Sequence, residues 1–473
     1  MAENDHRPDS DQPSGTQPAD RDPRDDDFEP RREVLEQLHD AIGAGDAARL
    51  NTLLEPLHAA DIADIIEQLS ASDRRDFLRL CSAEIDGEIL SEIDESIREE
   101  VLEQLPREVV AEAVREMDSD DVVDLIEDLD EPGREEILSA LDDSDRVAVE
   151  QALTYPEYSA GRLMQSEVVV APEDWTVGEA IDFLRSEDWL PEQFYHVILV
   201  DPRRHPVGYV TLGRLLASRR DAPLRELTED SFRTISAYAE EGDVAYAFNQ
   251  YHLISAPVVD RDDRLVGVIT IDDAMAVLDE EHEEDILRLA GVGDESHVSD
   301  GPLATARQRL PWLVINLFTA SLSAMVISVF ENTIASLVML AALMPIVAST
   351  GGIAGTQSLA VAVRALATRD LTSGNARRVV WRELFAGLLN GVGLAFILGL
   401  AGVLIFGDPR IGLVLGMAMI VNQVVAALGG GLVPLTRERL GLDPALASGT
   451  FVTTLTDVMG FFAFLGFATL VLL

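Results

Sequence analysis

Lysine is absent from this chain: all 36 basic residues are arginine, set against 84 acids, for a formal charge of -48 over 473 residues. Cysteine is nearly absent too. Cys81 stands alone, so no internal disulfide framework can form, in keeping with a reducing compartment. Histidine is missing from everything after Leu310. The first thirty residues have no apolar stretch behind a basic start, so no secretory signal is expected and the N-terminus is read as cytosolic. No phosphate-cradling glycine loop, HExxH zinc motif or convincing nucleophile with its base is found, so the chain is read as a non-enzyme. Such an excess of negative charge repels phosphate backbones and excludes nucleic acid as a partner. The missing lysine and the acid excess together suggest adaptation to a salt-rich, halophilic cytoplasm. Under that reading an acidic patch is first of all a solvated surface.

What is present contradicts a uniformly charged body, because 47% of the residues are hydrophobic. The two properties are segregated. Residues 1–310 hold 77 acids against 28 arginines, and residues 311–473 hold 7 against 8. The second region contains five uncharged or nearly uncharged runs, 311–330, 332–363, 384–407, 411–436 and 444–473. Each is long enough for a helix to cross about 30 Å of hydrocarbon. Arg364, Arg369, Arg377, Arg378 and Arg382 lie between the second and third runs, and Arg437 and Arg439 between the fourth and fifth. Positive loops face the cytosol. The chain is therefore expected to enter the lipid bilayer of the plasma membrane from inside, cross five times and end outside the cell.

Asp457 interrupts the last run, within Thr453-Thr454-Leu455-Thr456-Asp457. An ionised carboxylate at that depth costs several kcal/mol, about 2.5 to 3.5 on insertion scales, so it should face a wet cavity or a cation. Hydrogen bonding to a neighbouring helix is the bland alternative, weakened by the lack of any basic residue at matching depth. Pro345 to Ser358, with Gly351 and Gly352 at its centre, and Ala426 to Gly431 with Pro434 are expected to interrupt the second and fourth spans. Close helix packing explains the same small residues equally well. With no imidazole or thiolate in this region, a path through it offers only oxygen, which suits Mg, Ca or Mn rather than Zn or Cu.

Ahead of the membrane region two repeats are visible. From Glu33 to Ala152, apolar residues recur three and four apart between turns at Ser70, Pro106, Ser119 and Pro132-Gly133, which reads as an α-superhelix. Asp118, Asp120, Asp121 and Asp124 crowd one helix start. Caps and salt-adapted surface account for them as well as a cation site does, and Asp120 and Asp124 are kept as candidate ligands. Next, His196 to Leu216 matches Ala256 to Met275 as strand, turn, strand, helix. This tandem resembles a CBS-domain pair, whose family members are small-ligand sensors. On the helix that follows, Asp273, Glu280, Glu281 and Glu284 recur at helical spacing, a density of like charge that weakens a helix unless cations screen it.

The order of these parts is similar to the MgtE-type magnesium transporter family. The resemblance rests on Tyr155-Pro156-Glu157 with Ser159 to Met164, on Pro345 to Ser358, on Arg364 to Leu371 and on Gly441 to Gly460. It implies a multidomain fold: a disordered acidic tail (1–32), an α-superhelical N domain (33–160), an α/β CBS-domain pair (161–276), an acidic linker or plug helix (271–300) and an all-α transmembrane domain of five helices (311–473). It further implies a homodimer that passes Mg2+ along a pore lined by the second and fifth spans, with Asp457, Thr453, Thr454, Gly351 and Gly352 on the path. Asp443, Asp273, Glu281 and Glu284 match positions where the family binds regulatory Mg2+, and filling them would close the pore. ATP binding at the CBS pair is also implied, with no residues assigned. Ile353 replaces the family's usual Asn, and Gly242, His252 and Ala276 stand where acids are expected. A broader carrier for Mn or Co, and a membrane-anchored nucleotide sensor without transport, are the alternatives.

Overall fold

The computed structural model describes residues 32–473 apart from 128, 188, 192, 230–231, 293–295, 297–300, 373 and 447. The chain divides between Gln151 and Ala152 into two compact units. The acidic tail lies outside the described residues except for Arg32, as does most of the linker beyond Val292.

The first unit is a succession of short helices: α1 (Arg32–Ala44), α2 (Ala47–Leu54), α3 (Ala59–Gln68), α4 (Ala71–Cys81), α5 (Gly87–Ser91), α6 (Glu95–Gln104), α7 (Arg107–Glu116), α8 (Ser119–Glu127), α9 (Glu131–Ala140) and α10 (Asp143–Ala152). Side chains of Asp46, Ser70, Asp86, Asp94 and Asp130 accept from backbone N–H groups at helix starts, so part of the acid excess is capping. Helices two apart in sequence pack together, as α5 does with α7 and α7 with α9, which builds the superhelix. Buried Arg74 and Arg98 fasten successive layers: Arg74 donates to the Ile66 carbonyl and pairs with Glu100, and Arg98 donates to the Ile93 and Asp124 carbonyls. Pro132-Gly133, expected as a turn, instead forms the first turn of α9, because Asp130 caps the helix and proline fits where no N–H bond is needed.

The second unit begins with two copies of one α/β pattern. The first holds β1 (Val170–Pro172), α11 (Val177–Ser186), β2 (His196–Val200), β3 (Pro206–Thr211) and α12 (Leu212–Ala217). The second holds β4 (Ile235–Ser236), α13 (Glu241–Tyr251), β5 (Ser255–Val259), β6 (Leu265–Thr270) and α14 (Ile271–Ala290). Each sheet pairs its first strand parallel to the second and the second antiparallel to the third. The hairpin turns match as well: Asp201 Oδ1 accepts from the N–H groups of Arg203 and His205, and Asp260 Oδ1 from those of Asp262 and Arg264. The strand and helix leading each copy, too short and mixed in composition to stand out, complete a repeat that sequence reading had begun at the hairpin.

The membrane region follows as α15 (Pro302–Val329), α16 (Glu331–Ser336), α17 (Met339–Ala367), α18 (Ala376–Phe406), α19 (Pro409–Arg439) and α20 (Ser448–Leu472). All but α16 are long and apolar enough to span a bilayer. At 1.5 Å per residue they run about 37 to 46 Å. The second span was expected from Asn332. It starts at Met339, because Leu337 leaves helical geometry (φ -136°, ψ 71°) and separates α16 without any change in hydropathy.

The expected interruptions are absent: α17 is continuous through Pro345, Gly351 and Gly352, and α19 through Gly429 to Pro434. The glycines serve close approach instead. A Cβ at Gly430 would lie 2.5 Å from the Gly355 carbonyl oxygen, so the α17 and α19 backbones touch there. The central helix is α19, packed on α17, α18 and α20. Away from the CBS side its core joins Leu343 and Val347 of α17, Val414 and Met419 of α19, and Phe464 and Leu465 of α20.

A candidate ion path and its acidic gate

Helix α20 carries Thr453, Thr454 and Asp457 at spacings of three and four, which places them on one face. Asp457 lies roughly 14 Å into the helix from Ser448, nearer the CBS side than the middle. Among the described residues its carboxylate makes no hydrogen bond or ion pair. The neighbouring hydroxyls are partly engaged: Thr454 donates to the Thr450 carbonyl and Thr456, fully buried, to the Thr453 carbonyl. Opposite, α17 presents Gly352, where an added Cβ would sit 3.8 Å from Thr453 Cγ2, and Gly355, tight against Val452 and Thr456. The structure therefore brings Gly352 together with Thr453. It does not do so for Gly351, whose small volume is filled by the Asn422 amide.

Asn422 and Gln423 of α19 were not singled out from the sequence, where two amides in a long apolar run look incidental. Both are buried; Asn422 donates to the Val347 carbonyl (2.8 Å) and Gln423 to that of Thr350 (3.2 Å). Asn422 Oδ1 has no partner among the described residues, and it lies against Gly351 and Gly460. These bonds tie α17 to α19, leaving the exposed face of α17, with Ile353, free of them. Glu383 of α18 adds another tie by accepting from Ser358 of α17.

The second cluster forms where α14 meets the loop between α19 and α20. Arg288 pairs with Glu284 (2.9 Å) on its own helix and with Asp443 (3.1 Å) on the loop. Asp443 also accepts from the Ala445 and Leu446 N–H groups, which fixes the turn into α20. Asp285, not picked out from the sequence, has its pKa pushed up to about 6, first by burial and then by Asp443 and Glu281, against the pull of Arg288 and His282. Leu289, one turn on, packs with Leu359, Val363, Ala445 and Val452, so the end of α14 touches both helices of the candidate path.

The remaining predicted ligands are separate. Asp273 accepts from the Thr270 hydroxyl (2.5 Å) and backbone as part of the capping box of α14. Glu281 leans over the first turn of α13, its Oε1 2.6 Å from where a Cβ of Gly242 would be; an acid at 242 would displace it. His252 caps α13 in the left-handed conformation (φ 53°), and Ala276 is exposed. In the first unit Asp120 is buried at the start of α8, accepting from the Asp121 N–H, and Asp124 pairs with Arg98 at 2.8 Å. Among the described residues no three acids or histidines form a closed metal cage. A cation that keeps most of its water needs only one or two carboxylates, which is what Asp457 and the Asp285–Asp443 pair offer.

Between the two sheets, a cleft is lined by Gln165, Glu167, Tyr195, His196, Ser255 and Thr270. His196 Nδ1 and Ser255 Oγ lie 2.5 Å apart across it, and burial holds the imidazole pKa below its usual value despite Glu229.

Residues 344–467 match the divalent cation transporter family MgtE, residues 57–158 the MgtE intracellular N domain, and residues 160–221 and 224–280 CBS domains. The chain is 35% identical over 326 residues to the magnesium transporter MgtE of Enterococcus faecalis, covering 68% of this chain and 71% of that one. Against the protein of the same name from Thermus thermophilus it is again 35% identical over 326 residues, covering 68% and 72%. Among solved structures, the cytosolic domain of the Mg2+ channel MgtE in complex with ATP superposes with a TM-score of 0.47 and 26% identity, over 51% of this chain and 99% of that one.

Proposed function

The chain belongs to the MgtE family, and from that premise we propose that it is a Mg2+-selective channel-like transporter of the plasma membrane, closed by Mg2+ on its cytosolic side. The observation that carries the reading is Asp457, a carboxylate without a partner among the described residues on a membrane helix. Leaving that charge unbalanced in a bilayer costs too much unless a cation or water reaches it. A hydrated Mg2+ held there by Asp457 and steered by Thr453, Thr454 and the bare backbone at Gly352 meets both needs. Two protomers, each presenting α17 and α20, would enclose the path as a homodimer.

Closure would run through α14. Mg2+ shared by Asp285, Asp443 and their acidic neighbours Glu281 and Glu284 favours the arrangement in which these like charges are close, and α14 then presses on α17 and α20. Such a ligand shifts a population because it binds one arrangement better. Arg288 already balances part of this charge, so Mg2+ competes with a built-in cation. With Gly242, His252 and Ala276 in place of acids, the gate holds fewer ions than the family pattern implies. Asp273, Asp120 and Asp124 have structural partners and are the weaker candidates. The orientation is supported by Arg369 and Asp443, which meet the CBS pair and α14 on the same side.

Uptake of Mg2+ into proteoliposomes, measured for the natural chain and for Asp457→Ala, tests the path. Equal flux in both would sink it, and undiminished uptake with Mn2+ or Co2+ in place of Mg2+ would broaden the cargo. ATP at the CBS pair would enter the cleft beside His196 and Ser255. Calorimetric titration with ATP, repeated on Ser255→Trp, checks that assignment, which a silent titration of the natural chain would remove.

A further inference from the structure

The run Arg364 to Leu371 marks the CBS-side end of α17, and ion conduction assigns it no task. Thr368 caps α17, and the next residue, Arg369, adopts the left-handed conformation at φ 55°, where glycine or asparagine is the usual choice. The turn is held firmly. The Leu371 N–H donates to the Ala365 carbonyl (2.7 Å), Asn375 Nδ2 to the Asp370 carbonyl (2.6 Å), and the buried Leu371 side chain packs with Ala376 and Leu435. The effect is to project one guanidinium toward the second CBS copy. There Arg369 pairs with Asp243 in the first turn of α13, and its Cζ lies 4.1 Å from the centroid of the Tyr246 ring one turn along. Glu281 of α14 covers the same first turn of α13 at Gly242.

We propose that Arg369 is a latch joining the CBS pair directly to the end of the path helix α17, a second mechanical link beside α14. This rests on the gating reading above. The latch is made in the same arrangement in which Arg288 holds Asp443 and Leu289 packs on Val452, so it stabilises the docked state of α14. An exposed ion pair and an exposed cation–π contact each shift an equilibrium by a small factor, so a change of about two- to tenfold is expected from both.

The test uses the full chain in proteoliposomes. It reads the Mg2+ concentration that half-protects α14 from protease and, in parallel, the concentration on the CBS side that half-inhibits Mg2+ flux. Arg369→Ala should raise both midpoints about two- to tenfold and leave flux at low Mg2+ unchanged. Asp243→Ala should do the same, the double variant should be no worse than either, and the exchange Asp243→Arg with Arg369→Asp should return the midpoint to near its natural value. Tyr246→Leu, which keeps the ion pair, should give part of the shift. Unchanged midpoints in both single variants, or shifts that multiply in the double variant, overturn the latch. Flux absent in the natural chain while protection still shifts would overturn the transport reading and leave the latch standing. No Mg2+ response of either kind would overturn both.

Discussion

In the water-exposed part of the chain several of the described acids keep company: Asp124 holds Arg98, Glu100 holds Arg74, Asp182 holds Arg220, and Asp273 closes a capping box. In the membrane part, which carries only 7 acids, Asp457 has no such partner among the described residues. The contrast teaches that charge density and functional charge are different quantities. Seventy-seven acids stand before residue 311, where solvation, capping and pairing are open to them, whereas on the proposed reading a single one beyond it is balanced by a mobile cation. Between the two lies the place where Arg288 of α14 pairs with Asp443, and there burial and the charge of Asp443 make the Asp285 carboxylate costly.

Gly430→Leu drives a side chain into the α17 backbone and should cost about 3 kcal/mol, seen as loss of monodisperse protein in detergent. In the first unit, Arg98→Met leaves the Ile93 and Asp124 carbonyls without their donor and should cost about 2 kcal/mol in thermal unfolding. Asp285→Asn works the other way. Because burial and neighbouring acids raise its pKa from about 4 to about 6, the folded chain holds that proton more tightly than the unfolded chain. Ionising it therefore removes stability as pH rises from about 4 to 6, and the deficit persists above. The variant should melt higher than the natural chain at pH 8 in chelator, with the gain fading as pH falls toward 4, and should respond less to Mg2+. A largely exposed pair such as Arg79 with Asp76 marks the small end: Arg79→Ala should change stability by less than about 1 kcal/mol.

Much of this was legible in the sequence, for physical reasons. Hydropathy over twenty residues is a strong signal, so five spans were found, and a hairpin repeated with the same aspartate in its turn exposed the CBS pair. The beginning of α17 was missed because the break at Leu337 is a matter of backbone angles within uniformly apolar sequence. Continuous helices through Pro345 and Pro434 were missed because the composition that lets a helix open is also the one that lets two backbones touch, and only the position of Gly355 against Gly430 decides between them. Asp285 was overlooked because its raised pKa comes first from burial and then from Asp443, more than 150 positions away, neither of which is visible locally, and Asn422 because nothing local distinguishes an interhelical amide from a tolerated one. Asp457 was legible because a lone acid in an apolar span is costly wherever its helix packs.

Path and gate are separated most directly by Mg2+ flux into proteoliposomes, measured across a range of CBS-side Mg2+, for Asp457→Asn and Asp285→Asn prepared alike. The first should lose at least about tenfold of its flux at every Mg2+ concentration, the loss of one charged contact of more than about 1.4 kcal/mol, while the second keeps its maximal flux and needs more Mg2+ to be inhibited. Flux that survives Asp457→Asn but collapses in Asp285→Asn would contradict this assignment of path and gate.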